Sequence, residues 1–154
     1  MLESIPLFHS SRLWIPEASI ERLQEIGSWM KINGEAIYGT SASPFKKIEW
    51  GRCTRKSKDD REILYLHVFD FPDNGILTIH GLAGKIYKAY LLSNKKDMLK
   101  VIVDGNNPKI DMALVTRDSF ATVIVAEVSN DFKVYNAPEI QADYDIFLDT
   151  VKFK

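Results

Sequence analysis

The 154-residue chain has one cysteine, Cys53, so no internal disulfide can form and the fold must rest on its hydrophobic core and hydrogen bonds. Neither charge dominates. Twenty basic residues stand against 21 acidic ones, a net charge of -1, and that balance argues against a nucleic-acid or other polyanionic partner. No apolar run approaches the roughly 20 residues of a membrane span. Met1 to Trp14 lacks the basic start and continuous apolar stretch of a signal peptide. Internal repeats and low-complexity segments are missing too. What remains is a chain of 45% hydrophobic residues with 8 Phe, 6 Tyr and 3 Trp, the composition of one folded domain rather than a disordered segment.

The most informative stretch is Ile15 to Thr40, IPEASIERLQEIGSWMKINGEAIYGT. Pro16 suits the first helical position, since its φ is preset and its missing N–H would go unpaired there anyway. Glu17 sets a negative charge against the positive end of the helix dipole. Ile20, Leu23, Gly27 and Met30 share one helical face, widened by Ile26 and Trp29, and this face is expected to be buried. Asn33-Gly34 is read as the stop, with Gly34 free to adopt the left-handed conformation. Glu35 to Tyr38 is expected to be extended, and Thr40 to Pro44 to be a turn-rich linker.

As a string, Ile15-Pro16-Glu17 followed by Arg22 to Thr40 resembles the last barrel helix and exit segment of the α-L-fucosidases of glycoside hydrolase family 29, where the pattern is IPE, then RLxEIGxWxKxNGEAIYGT. The resemblance continues more loosely through Trp50 to Arg55, Leu64 to Pro72, and Leu91-Leu92, which look like the opening strands of that family's C-terminal β-sandwich. Met1 to Trp14 departs from the family pattern, as a boundary, a truncation or a frame change upstream would produce. The resemblance divides the chain into 1–14, the non-matching segment; 15–44, the last barrel helix and linker; and 45–154, the sandwich. At 154 residues the chain is well short of the roughly 250 of a (β/α)8 barrel. The resemblance therefore implies an ancillary domain whose partner is the catalytic barrel, inactive alone and without a cofactor. It implies a parent enzyme, exported to a periplasmic, secreted or lysosomal setting, that hydrolyses terminal α-L-fucosyl linkages by a retaining mechanism. The source compartment is left open by the chain itself.

Strand signals follow at short intervals: Ile63 to Phe69, Ile76 to His80, Ile86 to Leu92, Leu99 to Val103, Lys109 to Leu114 and Thr122 to Val128. Turn clusters at Lys56 to Arg61, Pro72 to Gly75, Gly81 to Gly84, Ser93-Asn94, Asp104 to Pro108 and Arg117 to Ser119 separate them. Such spacing predicts an antiparallel sandwich or barrel, and with the sandwich that the resemblance implies the expectation is a mainly β fold, an antiparallel β-sandwich preceded by one amphipathic α-helix. Leu64, Leu66 and Val68 share one face of a strand while Ile63, Tyr65 and Phe69 make its other face apolar, so that strand should be covered on both sides. Ile146 to Phe153 is read as a closing strand.

Chemistry-bearing residues are few. Asp59-Asp60 and Asp70 with Asp73 fall in turns, where Asp serves local backbone N–H groups, so they are expected to be structural rather than a catalytic pair. His67 and His80, which could face each other across a hairpin, are two ligands where zinc sites usually take three or four. Cys53 lies among Arg52, Thr54 and Arg55, which could lower its pKa, but an ordinary strand thiol is expected. Trp50, Tyr65, Tyr87 and Tyr90 could stack on sugar rings; core or interdomain packing is the expected role. No catalytic, cofactor-binding or metal residue is assigned. Beside the ancillary-domain reading stand a carbohydrate-binding module for fucosylated glycans and a self-associating structural domain. In the last, the exposed helix stripe drives dimerisation or is covered by Leu7 to Trp14.

Overall fold

The computed structural model describes residues 14–135. Its one α-helix, α1 (Glu17–Asn33), starts directly after Pro16 and runs into a 3-10 turn at Gly34–Ala36. Gly34 itself stays right-handed, with φ -57, and the amides of Ile37 and Tyr38 both donate to its carbonyl oxygen. The stop thus differs from the expected left-handed glycine, and Glu35 to Tyr38 is coiled rather than extended. The left-handed glycine is Gly39, with φ 67, one turn later.

Ten strands follow: β1 (Gly51–Lys58), β2 (Arg61–Val68), β3 (Ile76–Thr78), β4 (Leu82–Ala83), β5 (Ile86–Leu91), β6 (Met98–Leu99), β7 (Val101–Ile102), β8 (Lys109–Asp111), β9 (Thr122–Ser129) and β10 (Lys133–Val134). They form a five-stranded sheet in the order β1-β2-β9-β5-β6, a three-stranded sheet β3-β8-β7 and a two-stranded ribbon β10-β4, with every pairing antiparallel. The β1–β2 hairpin turns on Asp59-Asp60, where Asp59 takes φ 44, a conformation Asp tolerates better than most residues. β2 and β9, at the middle of the large sheet, pair over eight residues from Arg61↔Ser129 to Val68↔Thr122.

Between the sheets lies the main core. Leu64, Leu66 and Val68 of β2, with Ile124, Ala126 and Val128 of β9, meet Leu77, Ile79, Ile110 and Met112 from the smaller sheet and its edges. Each fully buried Leu or Ile contributes about 1.5–3 kcal/mol relative to exposure. The opposite face of β2 and β9 is also apolar: Ile63, Tyr65, Val123 and Val125 join Tyr90, Leu92 and Ala36 in a second cluster, against which Trp29 of α1 packs. The expectation of a two-sided strand holds, and the helix supplies part of its second cover.

Two strand expectations also need correction. Leu99 to Val103 is not one strand: the chain breaks at Lys100, whose carbonyl accepts from the Asp111 amide, and β6 pairs with β5 while β7 pairs with β8 in the other sheet. Leu99 and Val101 still pack on the same core, whereas Val103 is 84% exposed. Likewise β8 stops at Asp111, and the Asp111 side chain accepts from the Ala113 amide in the turn beyond it. The proposed strand Ile146 to Phe153, like residues 1–13, lies outside the described residues.

Candidate functional site

The outer face of the large sheet is where apolar surface, helix and a chain of polar contacts meet. Only the last turns of α1 reach the sheet. The Trp29 indole donates to the Ala121 carbonyl at 2.9 Å, and the Asn33 side chain donates to the Trp29 carbonyl at 3.2 Å. Just after the helix, the Thr54 hydroxyl of β1 donates to the Ala36 carbonyl at 2.6 Å and lies 3.2 Å from His67 Nε2. The Tyr65 hydroxyl donates to Glu35 Oε1 at 3.0 Å, and Lys95 Nζ reaches Glu35 Oε2 at 2.8 Å.

These contacts explain the electrostatics of the face. The Lys95 ammonium holds the Glu35 carboxyl below its ordinary range, against the opposing effect of burial. Burial pushes the Tyr65 phenol well above its usual value, and Glu35 adds to the shift. His67, buried beneath Trp29 with ring centroids 6.4 Å apart, has its pKa lowered by burial and so favours the neutral form. At the other end of the same face, Glu127 is bound by Arg61 and Lys88, each at 3.0 Å; burial raises its pKa, but the two cations more than offset that.

Beyond Trp29 the helix stands away from the sheet. Ile20, Leu23 and Ile26 repeat every three residues along it, and Leu23 and Ile26 are 60% and 48% exposed. Ile26 and Trp29, with Phe69, Phe120 and Ala121, line an apolar groove of about 280 Å³. Of the face expected to be buried, Ile20, Leu23 and Ile26 are open within the described residues, while Gly27, Trp29 and Met30 are partly buried.

The residues singled out from sequence scatter rather than converge. Cys53 is buried in the main core, and burial pushes its thiol up to about 12 despite Arg55 nearby. Asp59 and Asp60 form the β1–β2 turn, while Asp70 and Asp73 lie on the β2–β3 loop beside a different cleft. His67 faces the outer side of the large sheet; His80 follows β3 of the small sheet and borders that same cleft. No group of three or more His, Cys, Asp or Glu able to hold a metal gathers among the described residues. Tyr65 and Tyr90 are buried, Tyr87 sits exposed at a register shift in β5 between the Arg61 and Lys85 cations, and Trp50 lies apart from all three at the cleft. The four aromatics do not make one platform. No helix among the described residues is long and apolar enough to cross a membrane.

Sequence reasoning missed Glu35 and Lys95, whose pairing with each other and with Tyr65 spans 60 and 30 residues of chain. It also passed over Phe69, Phe120 and Ala121 as groove residues. Trp29 was legible as helix face, but its hydrogen-bond partner was not.

In class, then, this is a β-sandwich with a helix anchored by one edge to its outer face and an apolar stripe left open among the described residues. Comparisons give that class a family likeness. No family model matches the chain. Over 65 residues it is 34% identical to an α-L-fucosidase of Dictyostelium discoideum, a match that takes in 42% of this chain and 14% of that protein. Among solved structures, an α-L-fucosidase from a Vibrio species superposes with a TM-score of 0.64 at 26% identity, over 78% of this chain and 22% of that one. The α-fucosidase of Thermotoga maritima gives 0.56 at 28% identity, over 73% and 27% of the two chains. A family 29 α-L-fucosidase of Bacteroides thetaiotaomicron, trapped as a covalent intermediate with 2-fluoro-fucosyl fluoride, gives 0.61 at 26%, over 74% and 25%. In sequence and fold the chain is similar to the C-terminal region of family 29 α-L-fucosidases, and it spans about a quarter or less of the length of these relatives.

Proposed function

We propose that this chain serves as the ancillary β-sandwich of an α-L-fucosidase, docking through the open stripe of α1 onto a catalytic (β/α)8 barrel and contributing no catalytic carboxylate of its own. The observation that carries this reading is the open apolar stripe of Ile20, Leu23 and Ile26 beside the groove at Trp29, on a fold whose relatives are fucosidases about four times as long. Residues 15–44 form the docking helix and linker, and residues 45–154 the sandwich. A fucosidase needs two carboxyl groups across a sugar pocket, about 5 Å apart in a retaining enzyme. The barrel supplies both, and the covalent intermediate trapped in the Bacteroides relative supports the retaining course for the whole enzyme. The substrate class is a terminal α-L-fucosyl linkage, and the chemistry uses no cofactor.

The test has two parts. The purified chain, assayed with an aryl α-L-fucoside from acidic to neutral pH, should release no fucose above a blank. Mixed with the separately expressed barrel of a family 29 relative, it should gain hydrogen-exchange protection along Ile20 to Ile32. Fucose release by the chain alone would overturn the assignment of chemistry to the barrel.

A further inference from the structure

A second concave surface has no part in the docking reading and stands independently of it. A cleft of about 590 Å³ opens between the approach to β1, the β2–β3 loop and β3. Its volume falls within the roughly 300–1,000 Å³ usual for small-molecule sites. It shares no lining residue with the apolar groove: on the β2–β3 loop Phe69 belongs to the groove, while Asp70 and Phe71 belong to the cleft.

The walls are tied in place. The Trp50 carbonyl accepts from both the Phe69 and Asp70 amides, at 3.0 and 3.1 Å, and the Trp50 indole donates to the Thr78 carbonyl at 3.0 Å. The loop is closed by Gly75 N–H donating to the Pro72 carbonyl at 2.9 Å and by Asn74 Oδ1 accepting from the Ile76 amide at 3.0 Å. Arg117 donates to the Phe69 carbonyl at 3.0 Å, with its guanidinium 5.7 Å from the Phe71 ring centre. A cleft so braced needs little reordering to accept a ligand, which lowers the entropic cost of binding.

Its chemistry is two-faced. Trp50 and Phe71 are half-buried, packed against the main core yet lining the cleft, so their ring surfaces supply apolar contact. Asp70 and Asp73 sit exposed at the rim as hydrogen-bond acceptors, with Glu49 and Lys47 opposite. Three carboxylates against one lysine disfavour phosphate or any other anion. A ligand that fits has an apolar ring face to lay on aromatics and hydroxyl donors along its edge. We propose that the cleft binds a neutral pyranose unit of a glycan, stacked on Trp50 and Phe71 and held by hydroxyl hydrogen bonds to Asp70 and Asp73.

The experiment is an amide-and-indole NMR titration of the full 154-residue chain with L-fucose, D-galactose and lactose. Saturable shifts at the Trp50 indole N–H and along Asp70 to Thr78 are expected for at least one sugar. Because Trp50→Ala could disturb the core, the decisive variant is Asp70→Ala with Asp73→Ala, both at exposed positions. It should weaken binding by about tenfold or more, the size expected for losing hydrogen bonds to charged groups, with melting temperature unchanged. No saturable shift with any of the three sugars, shifts confined to other surfaces, or an affinity indifferent to the double variant would each overturn the proposal.

Discussion

The indole nitrogen of Trp29 donates to the carbonyl oxygen of Ala121 at 2.9 Å, joining residues 92 positions apart. This bond pins the end of α1 to the start of β9, and with it one edge of the groove. Among the described residues, this bond and the last helical turn are the main ties between the helix and the sheet, placed near the C-terminal end of α1.

Trp29→Phe keeps a ring but removes the donor, and should cost about 1 kcal/mol of stability, the usual net worth of a hydrogen bond. The larger effect should be local. Amides of α1 should exchange faster while those of β2 and β9 keep their protection, since the main core does not depend on Trp29. Unchanged exchange along the helix would show that something other than this contact holds it.

Core and stripe should respond oppositely to truncation. Ile124→Ala, at a position with no exposure, should cost about 2–5 kcal/mol by leaving a cavity, read from urea unfolding. Leu23→Ala, 60% exposed, should shift the stability of the isolated chain by no more than about 0.5 kcal/mol. Comparable losses at both sites would mean that the stripe is already covered in solution, and sedimentation would then reveal self-association.

The buried His67 should make stability depend on pH. Its folded pKa is lowered from the ordinary 6.5, so the unfolded chain binds the extra proton first. Stability should be fully present above 6.5 and decline as pH falls from there to the lowered folded value. His67→Gln should flatten that slope. Glu35 and Glu127, whose pKa values are lowered from 4.5, contribute stability that is present above 4.5 and lost as pH falls through their folded values. Their window lies at more acidic pH. A slope just below neutrality that survives in His67→Gln would assign it elsewhere.

Cys53 should resist thiol reagents in the folded chain. Its thiol, buried and with a pKa of about 12, offers little thiolate at mildly alkaline pH. Labelling with an aromatic disulfide should be slow under native conditions and complete in denaturant. Fast native labelling would show that β1 opens readily at the sheet edge.

Local chemistry made parts of this molecule legible and left others hidden. Pro16 marks the helix start because proline acts through its own backbone. The two-sided burial of β2 was legible because Ile63, Leu64, Tyr65 and Leu66 leave neither face polar. The single strand read over Leu99 to Val103 failed because strand propensity and side-chain direction do not say which sheet a backbone bonds to; Leu99 and Val101 face one core from two sheets. β4 and β10, two residues each, are too short to carry a period. Gly34 resembled a left-handed stop, yet its φ of -57 is one any residue adopts, and a Cβ there would meet the exposed Tyr38 ring at 3.4 Å, an ordinary contact. The polar chain of Lys95, Glu35 and Tyr65 depends on folded proximity alone. Of the candidate residues, the turn roles of Asp59 and Asp60 were legible, and the separation of His67 from His80 was not.

The large sheet is a shared wall. Tyr65 and Leu66 are adjacent in β2, yet one belongs to the outer cluster and the other to the inner core. An outer face engaged by a partner is thereby linked to the melting of the inner one. Any molecule that binds the folded helix and sheet but not the unfolded chain must raise the unfolding free energy by its own binding term, about 2.7 kcal/mol at a hundredfold excess over its dissociation constant. The thermal stability of this domain is then a gauge of whether its outer face is occupied.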